Sequence, residues 1–301
     1  MKSSVPVRTA PGEFHNSFTP ELLPGSRPAI IVEAGVLQGM KNLKRWVVGL
    51  AFAAVAVAQT PPSTKSFALP QLVFGGGWYT AIYFNNQTNG ALAANVSFFD
   101  QNGQPLPTTL LNSSVFGSGL AADLSAADTV TVSTTTVNVP PQGTAIIEAP
   151  DSGSLQQGWA RVDVPAGIVG YGIFRYTLSV PGQPPQVSEG EIPFAGTSST
   201  VSSLIFDDTS YVTAVAFANP SSVAASITIT AVGAAGQTLG TATQTLGAGA
   251  RTAVVLRNFP GLAAVAGQRG TVQFTATTGA VSVLGLRFNN LTFTSIPPTT
   301  N

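Results

Sequence analysis

Two pairs of acidic residues are the features of this sequence whose spacing could support chemistry. Glu189 and Glu191 alternate along a predicted strand, so both carboxylates would face one side, roughly 7 Å apart. A glycosidase holds its two carboxylates at a comparable separation across the sugar. Asp207 and Asp208 are adjacent in a predicted turn, where carboxylates and backbone carbonyls could bind calcium. A solvated strand edge and a solvated turn explain both pairs more simply. We therefore expect no catalytic residue, keep a carboxylate-based hydrolase as an alternative, and treat Asp207 and Asp208 as weak metal candidates.

Histidine and cysteine, which often act as metal ligands, bases or nucleophiles, are almost absent. The sequence has one histidine, His15, which lies in the N-terminal leader, and no cysteine. A Ser-His-Asp triad, a cysteine nucleophile, and zinc or copper bound by His or Cys are therefore excluded from the rest of the chain. We expect a protein that is not an enzyme and that carries no cofactor.

Aromatic residues offer another chemical possibility, a platform on which a sugar ring can stack. Trp78, Tyr79 and Tyr83 are close together in the sequence, and Trp159 lies further along. If exposed and coplanar, Trp78, Tyr83 and Trp159 would form a ligand-binding surface for a glycan. The alternative is that these rings fill hydrophobic cores, where large aromatic side chains contribute strongly to stability.

The elements that would position these residues are duplicated. Residues 78–106 recur without a gap at 211–239, at a spacing of 133. The identical pairs include Thr80 with Thr213, Phe84 with Phe217 and Asn86 with Asn219. The duplication indicates two domains of ordinary size rather than one large domain.

The spacing between the copies changes along the chain and so locates an insertion. It falls from 133 to 108 between residues 106 and 144, which places 25 extra residues in the first copy, at about 110–133. Further on, Arg175 and Arg287 match at a spacing of 112, and we expect structural roles for both. The predicted organisation is a linker at 59–65, a first repeat at 66–193 and a second repeat at 194–301.

The insertion is found only in the first repeat. Residues 112–119 are predicted to form an exposed loop, followed by an added strand through 129–139. Loops on a rigid scaffold often bind ligands, although a neutral surface insertion is the simpler interpretation.

Short β-branched segments of alternating polarity predict the fold class. In the segments 227–230 and 272–275, apolar side chains alternate with Thr or Gln, which is typical of a strand buried on one face. Turns rich in Gly and Asn separate such segments, as at 100–103. We therefore predict an all-β chain of two tandem immunoglobulin-like antiparallel β-sandwich domains.

The N-terminal residues have the three-part pattern of a secretory signal peptide. Three basic residues follow Met40, an apolar run occupies 46–57, and small residues end at Ala58. The apolar run of 12 residues is shorter than the ~20 that a membrane span requires. We predict a signal peptide at 40–58 that is cleaved after Ala58, leaving no membrane span. Residues 1–39 would then result from a translation start assigned too early, or would form a disordered leader.

Few charges remain beyond residue 58, and this limits the partners. Residues 59–301 contain seven Lys or Arg and ten Asp or Glu, with no basic stripe that would bind nucleic acid. The lack of cysteine suits bacterial export to the cell surface or the medium. The expected partner is an envelope or matrix protein or a glycan. Weak self-association would follow if the segment 66–74 added to a neighbour's sheet edge, whereas pairing within the chain is the alternative.

Four motifs give the chain a family resemblance. They are Gly-Gly-Gly-Trp at 75–78, the hairpin at 98–106, Gly-Trp-Ala-Arg-Val at 158–162 and Leu-Arg-Phe-Asn at 286–289. The chain resembles a group of uncharacterised secreted bacterial proteins built of tandem immunoglobulin-like β-sandwich modules. This resemblance implies an exported structural or adhesive protein and supplies no catalytic residues. A carbohydrate-binding module that uses the aromatic residues of the first repeat is the alternative.

Overall fold

A computed structural model describes residues 63–111, 129–179, 181–182, 184–290 and 292–299, all within one compact unit. The predicted leader, the signal peptide and the loop at 112–119 lie outside these residues. Among the residues that are described, no helix has the length and apolar character needed to cross a bilayer.

The described residues form nineteen β-strands and two short 3-10 turns, with no α-helix among them. The strands are β1 Thr64–Phe74, β2 Trp78–Asn86, β3 Leu92–Phe99, β4 Thr108–Leu111, β5 Thr129–Val132, β6 Thr134–Val139, β7 Thr144–Ala149, β8 Gln156–Pro165, β9 Ile168–Leu178, β10 Gln186–Pro193, β11 Ala195–Gly196, β12 Val201–Asp207, β13 Val212–Ala218, β14 Ala225–Gly233, β15 Thr238–Leu246, β16 Arg251–Val255, β17 Arg269–Thr278, β18 Ser282–Asn289 and β19 Thr292–Ile296. The turns are Leu256–Asn258 and Ala263–Val265.

The strands form four larger sheets and one ribbon. Sheet I has the order β11-β1-β8-β3-β6, sheet II β10-β9-β2-β7, sheet III β12-β17-β14-β15 and sheet IV β16-β13-β18-β19, while β4 pairs with β5. Every pair is antiparallel. The prediction of an all-β chain with antiparallel sheets is confirmed. The four sheets have four or five strands each, and in number and size they also correspond to the blades of a four-bladed propeller-like arrangement.

Alternating polarity explains why these segments become strands. Along β14 the buried positions alternate with half-buried ones, so that Ile227 and Ile229 enter the core while Thr228 and Thr230 face outward. Successive side chains of a strand point to opposite faces, and β-branched residues fit such a half-buried surface.

The segment 66–74 pairs within the chain. It belongs to β1, which is bonded to β8 along most of its length and to β11 at Phe67 and Ala68. This is the intramolecular alternative to strand addition between neighbouring copies. Residue 193 is the predicted end of the first repeat, but β11, which follows it, still belongs to sheet I. The first repeat therefore continues to Gly196.

Among the described residues, two large hydrophobic cores connect the sheets, and a small cluster of Ala68, Trp159 and Ala218 joins sheet I to sheet IV. The first contains residues of sheets I and II, such as Leu69 and Ile82, and the second contains residues of sheets III and IV, such as Phe274. Three residues of the second repeat also belong to the first core: Leu284, Leu286 and Phe293. The second repeat therefore contributes directly to the stability of the first.

The two repeats differ by one residue in the pairing of their central strands. Ile82 pairs with Gly172, and Val215, the counterpart of Ile82 in the second repeat, pairs with Gly285. Equivalent residues of β9 and β18 are therefore 113 positions apart, and not the 112 predicted from sequence. The turn before β18 contains one additional residue, Ala280. Since side chains alternate along a strand, this shift of one residue places the matching residues of β9 and β18 on opposite faces of their sheets.

This shift separates the two recurring arginines. Arg175 lies opposite Tyr79 on the outer face of sheet II, whereas Arg287 lies opposite the fully buried Thr213 on the core-facing side of sheet IV. Each guanidinium nevertheless covers a tyrosine ring, Arg175 that of Tyr79 at 5.2 Å and Arg287 that of Tyr211 at 4.8 Å. Similar cation–π contacts thus arise at positions that are not equivalent.

The described part of the insertion is the ribbon of β4 and β5. The predicted added strand at 129–139 is interrupted at Ser133, because β5 pairs with β4 while β6 pairs with β3. In the second repeat β15 pairs with β14 in the same way that β6 pairs with β3. The strand β6 is therefore common to both repeats, and of the predicted added strand only the part in β5 belongs to the insertion.

A buried asparagine stabilises the same corner of each repeat. Asn219 is fully buried; its Nδ2 donates to the carbonyl oxygens of Val223 and Gly247 at 2.7 and 2.9 Å, and its Oδ1 accepts from the Ser221 hydroxyl at 2.6 Å. Asn86 does the same in the first repeat, donating to Gly90 and accepting from Thr88. The side chain thereby joins its own strand to two loops.

We expect Asn219→Ala to lower the free energy of unfolding by about 3 kcal/mol or more, because several buried donors and acceptors lose their partner at a cost of roughly 1–3 kcal/mol each. Urea unfolding measures this change. The matched control is Asn95→Ala, since Asn95 is exposed and accepts one hydrogen bond, from Thr136. Equal losses in the two variants would contradict the assignment.

Candidate functional site

Sheet II presents one face to the first core and leaves the other open. Along β2, Thr80, Ile82 and Phe84 are buried, while Tyr79 and Tyr83 occupy the alternate positions that point away from the core. We call this open side of sheet II, which carries Tyr79, Tyr83 and the residues beside them, the tyrosine face.

An aromatic pair lies at the centre of the tyrosine face. Tyr83 is opposite Tyr171 of β9, and their ring centroids are 5.1 Å apart with planes inclined by 18°. Tyr171 is 42% exposed, and Val169, the next outward residue of β9, is 47% exposed. Cross-strand aromatic contacts stabilise a sheet, and here they also leave ring surface accessible.

A groove of about 380 Å³ runs beside this pair. It is lined by Tyr83, Asn85, Thr144, Ile146, Val169 and Tyr171, together with backbone of β2 and β9. None of these side chains is charged. Within the described part of the chain, the side chains of Tyr83, Asn85, Thr144 and Tyr171 have no hydrogen-bond partner, so their polar groups are free for a ligand.

Charged residues border the groove on one side. Arg175 forms an ion pair with Glu189 at 2.8 Å and lies over the ring of Tyr79. The hydroxyl of Tyr79 donates to the carboxylate of Glu148 at 2.5 Å. With Glu191 on the same side of β10, this border has an excess of negative charge.

Burial and the acidic neighbours affect the two tyrosine hydroxyls. Burial, followed by the hydrogen bond to Glu148, raises the pKa of Tyr79 well above its usual value of 10. Burial, followed by the neighbouring Tyr171, also raises the pKa of Tyr83. Both hydroxyls therefore stay protonated to a higher pH than that of an ordinary tyrosine.

The corresponding face of the second repeat is closed. Sheet IV has Val212 and Ala216 at the positions of Tyr79 and Tyr83, and Ala216 is fully buried. Leu284, which lies opposite Ala216, belongs to the first core. The first repeat therefore covers the face of the second repeat that corresponds to its own open one.

The three aromatic residues predicted to bind a ligand occupy different environments. Tyr83 lies on the tyrosine face. Trp78 points to the core side of sheet II, where its ring packs against Phe174 and Phe293. Trp159 is 1% exposed and donates its Nε1–H to the carbonyl oxygen of Gly249 at 2.6 Å, across the junction between the repeats. The structure thus does not bring these three rings onto one surface.

The weak metal candidates are held by arginines. Asp207 pairs with Arg269 at 2.9 Å, and Asp208, whose side chain is fully buried, pairs with Arg257 at 3.0 Å. The hydrogen bond from the Thr209 hydroxyl is the main cause of the lowered pKa of Asp207. Within the described ranges, no three acidic, histidine or cysteine residues cluster in a way that could hold a metal ion.

The acidic pair on β10 stands on the outer side of the strand. Glu189 and Glu191 are both exposed, as the alternation of a strand predicts, and Gly190 between them is buried. Glu189 forms an ion pair with Arg175, as a carboxylate at a solvated strand edge commonly does.

Sequence reasoning missed Tyr171, Val169 and Ile146, which complete the groove around Tyr83. The available signal was the two-residue period along 168–178, which places Val169 and Tyr171 on one side of the strand. Their position beside Tyr83 depends on the register between β2 and β9, which a single strand pattern does not contain. Comparisons with protein-family models and with curated proteins find no match for this chain.

We expect the stability of the protein to fall as pH rises above 10, in part through Tyr79. A raised pKa means that the folded state holds the proton more tightly than the unfolded chain, so this contribution is complete below pH 10 and is lost as the unfolded chain ionises. Denaturant unfolding across alkaline pH should show a shallower decline for Tyr79→Phe than for the wild type. An unchanged slope would contradict the environment assigned to Tyr79.

Proposed function

We propose that this chain is a secreted or cell-surface protein of bacteria, without catalytic activity, made of two tandem immunoglobulin-like β-sandwich modules. Its role is structural or adhesive, and it binds its partner through the tyrosine face.

The sandwich proposal is supported by how the sheets share their cores. Sheets I and II contribute to one hydrophobic core and sheets III and IV to the other. Each sheet combines strands from separate parts of the chain, as in the order β12-β17-β14-β15, where only β14 and β15 are consecutive. In this arrangement the chain crosses between facing sheets by long connections, which is typical of Greek-key sandwiches. A propeller blade, in contrast, is built from consecutive strands.

The proposal of secretion rests on the sequence. A basic segment, an apolar run and small residues precede Gln59, in the order that signal peptidase substrates share. The lack of cysteine fits export from a bacterium, in which a domain without disulfides relies on its hydrophobic cores.

The contrast between the two repeats carries the binding proposal. The outer face of sheet IV is covered, whereas the equivalent face of sheet II is open and presents Tyr83, Tyr171 and Arg175. Tyrosine and arginine are enriched in protein binding sites and carry much of their binding energy. An open face of this composition supports a reversible interaction rather than permanent packing.

Two alternatives remain. A carbohydrate-binding role is favoured by the groove beside Tyr83 and Tyr171, which replace Trp78 and Trp159 as the candidate aromatic surface. A carboxylate-based hydrolase has less support, because the ion pair with Arg175 occupies the Glu189 carboxylate.

The test is binding of the purified chain to isolated bacterial envelopes. We expect the double substitution of Tyr83 and Tyr171 by alanine to reduce binding at least about tenfold, as the loss of two central aromatic side chains does at other interfaces. The matched control is Ile205→Ala, which removes an exposed apolar side chain of β12 and should leave binding unchanged. Envelope binding that is absent, or equal in all three proteins, would overturn the proposal.

A further inference from the structure

We propose that the groove on the tyrosine face binds an uncharged carbohydrate chain. This inference rests on the proposed function, because it names the partner of the same face.

The aromatic pair provides the apolar part of such a site. A sugar ring has faces of C–H groups that pack on aromatic rings, and Tyr83 and Tyr171 present nearly parallel rings, inclined by 18°. The groove volume of about 380 Å³ lies within the range of roughly 300–1,000 Å³ for small-molecule sites. The space therefore suits one or two sugar units of a longer chain.

The polar groups complete the recognition. The hydroxyls of Tyr83, Tyr171 and Thr144 and the amide of Asn85 line the groove and have no partner among the described residues. An apolar wall with a few convergent donors and acceptors matches the amphipathic character of a sugar ring. A purely apolar ligand would leave these polar groups unsatisfied on binding, at a cost in free energy.

The charges around the groove favour an uncharged ligand. Among the described residues, the lining carries no charge, and the cation of the border, Arg175, is already paired with Glu189. Glu148 and Glu191 leave the border with excess negative charge. Acidic polysaccharides and phosphate-bearing molecules are therefore repelled.

Two other occupants fit the face less well. A peptide would pair with an edge strand of sheet II, but the ribbon strand β4 lies beside β7 and strand β19 lies beside β10. A second copy of the chain would require the close packing seen at sheet IV, where Val212 and Ala216 stand in place of Tyr79 and Tyr83. Small side chains permit that approach, and tyrosines at those positions prevent it.

The test is affinity electrophoresis of the full secreted chain in gels that contain neutral polysaccharides, namely β-glucan, mannan and galactan, or the acidic polysaccharide alginate. We expect at least one neutral polysaccharide, and not alginate, to retard the protein. Tyr83→Ala and Tyr171→Ala should each weaken this binding at least about tenfold. Tyr83→Phe keeps the ring and should lose less, and Ile205→Ala should bind like the wild type. Circular dichroism checks that each variant is folded.

Several results would overturn the inference. They are an absence of retardation by every neutral polysaccharide, retardation that the two alanine variants retain, or a preference for alginate. If envelope binding still depends on Tyr83 and Tyr171, only the carbohydrate inference falls and a protein partner takes its place. If envelope binding does not depend on them, the proposed function falls as well.

Discussion

The structure depends on the burial of the outer face of sheet IV against the first repeat. Leu284, Leu286 and Phe293 point away from the core of their own repeat and complete that of the other, and the ring of Phe293 lies 5.2 Å from that of Phe174. Each such side chain contributes roughly 1.5–3 kcal/mol when fully buried, more than a typical single hydrogen bond across the junction. The two repeats are therefore parts of one folding unit. The outer face of sheet IV is buried in it, whereas the equivalent face of sheet II is open.

The junction also contains an unfavourable element. Arg251 is 3% exposed, and its guanidinium donates to the side-chain oxygens of Gln71 and Gln157, which are neutral. Burial lowers the pKa of Arg251 to about 10, and a buried cation without a carboxylate destabilises a fold. Apolar burial at the junction offsets this cost, while the directional hydrogen bonds of Arg251 restrict how the repeats can be oriented. A constrained junction holds the tyrosine face in a fixed orientation relative to the second repeat.

Local patterns predicted the strands and the repeat, but they did not predict the site. The alternation at 227–230 was enough to place β14, because burial of one face requires a two-residue period. The partnership of Tyr83 with Tyr171 depends on strand register, and the matching residues at a spacing of 112 concealed the extra residue in the turn before β18. The burial of Trp159 depends on a contact with Gly249, 90 residues away along the chain. Such contacts leave no local signature in one sequence.

Completion of the first core by the second repeat is best measured by comparing the unfolding of the two repeats. In a Trp46→Phe background, tryptophan fluorescence reports only Trp78 and Trp159, both in the first repeat. Hydrogen exchange at the amides of β14 and β17 reports the second repeat. If the two repeats share the first core, both signals change at the same denaturant concentration. Two separate midpoints would show that the repeats are independent domains and would contradict a shared core.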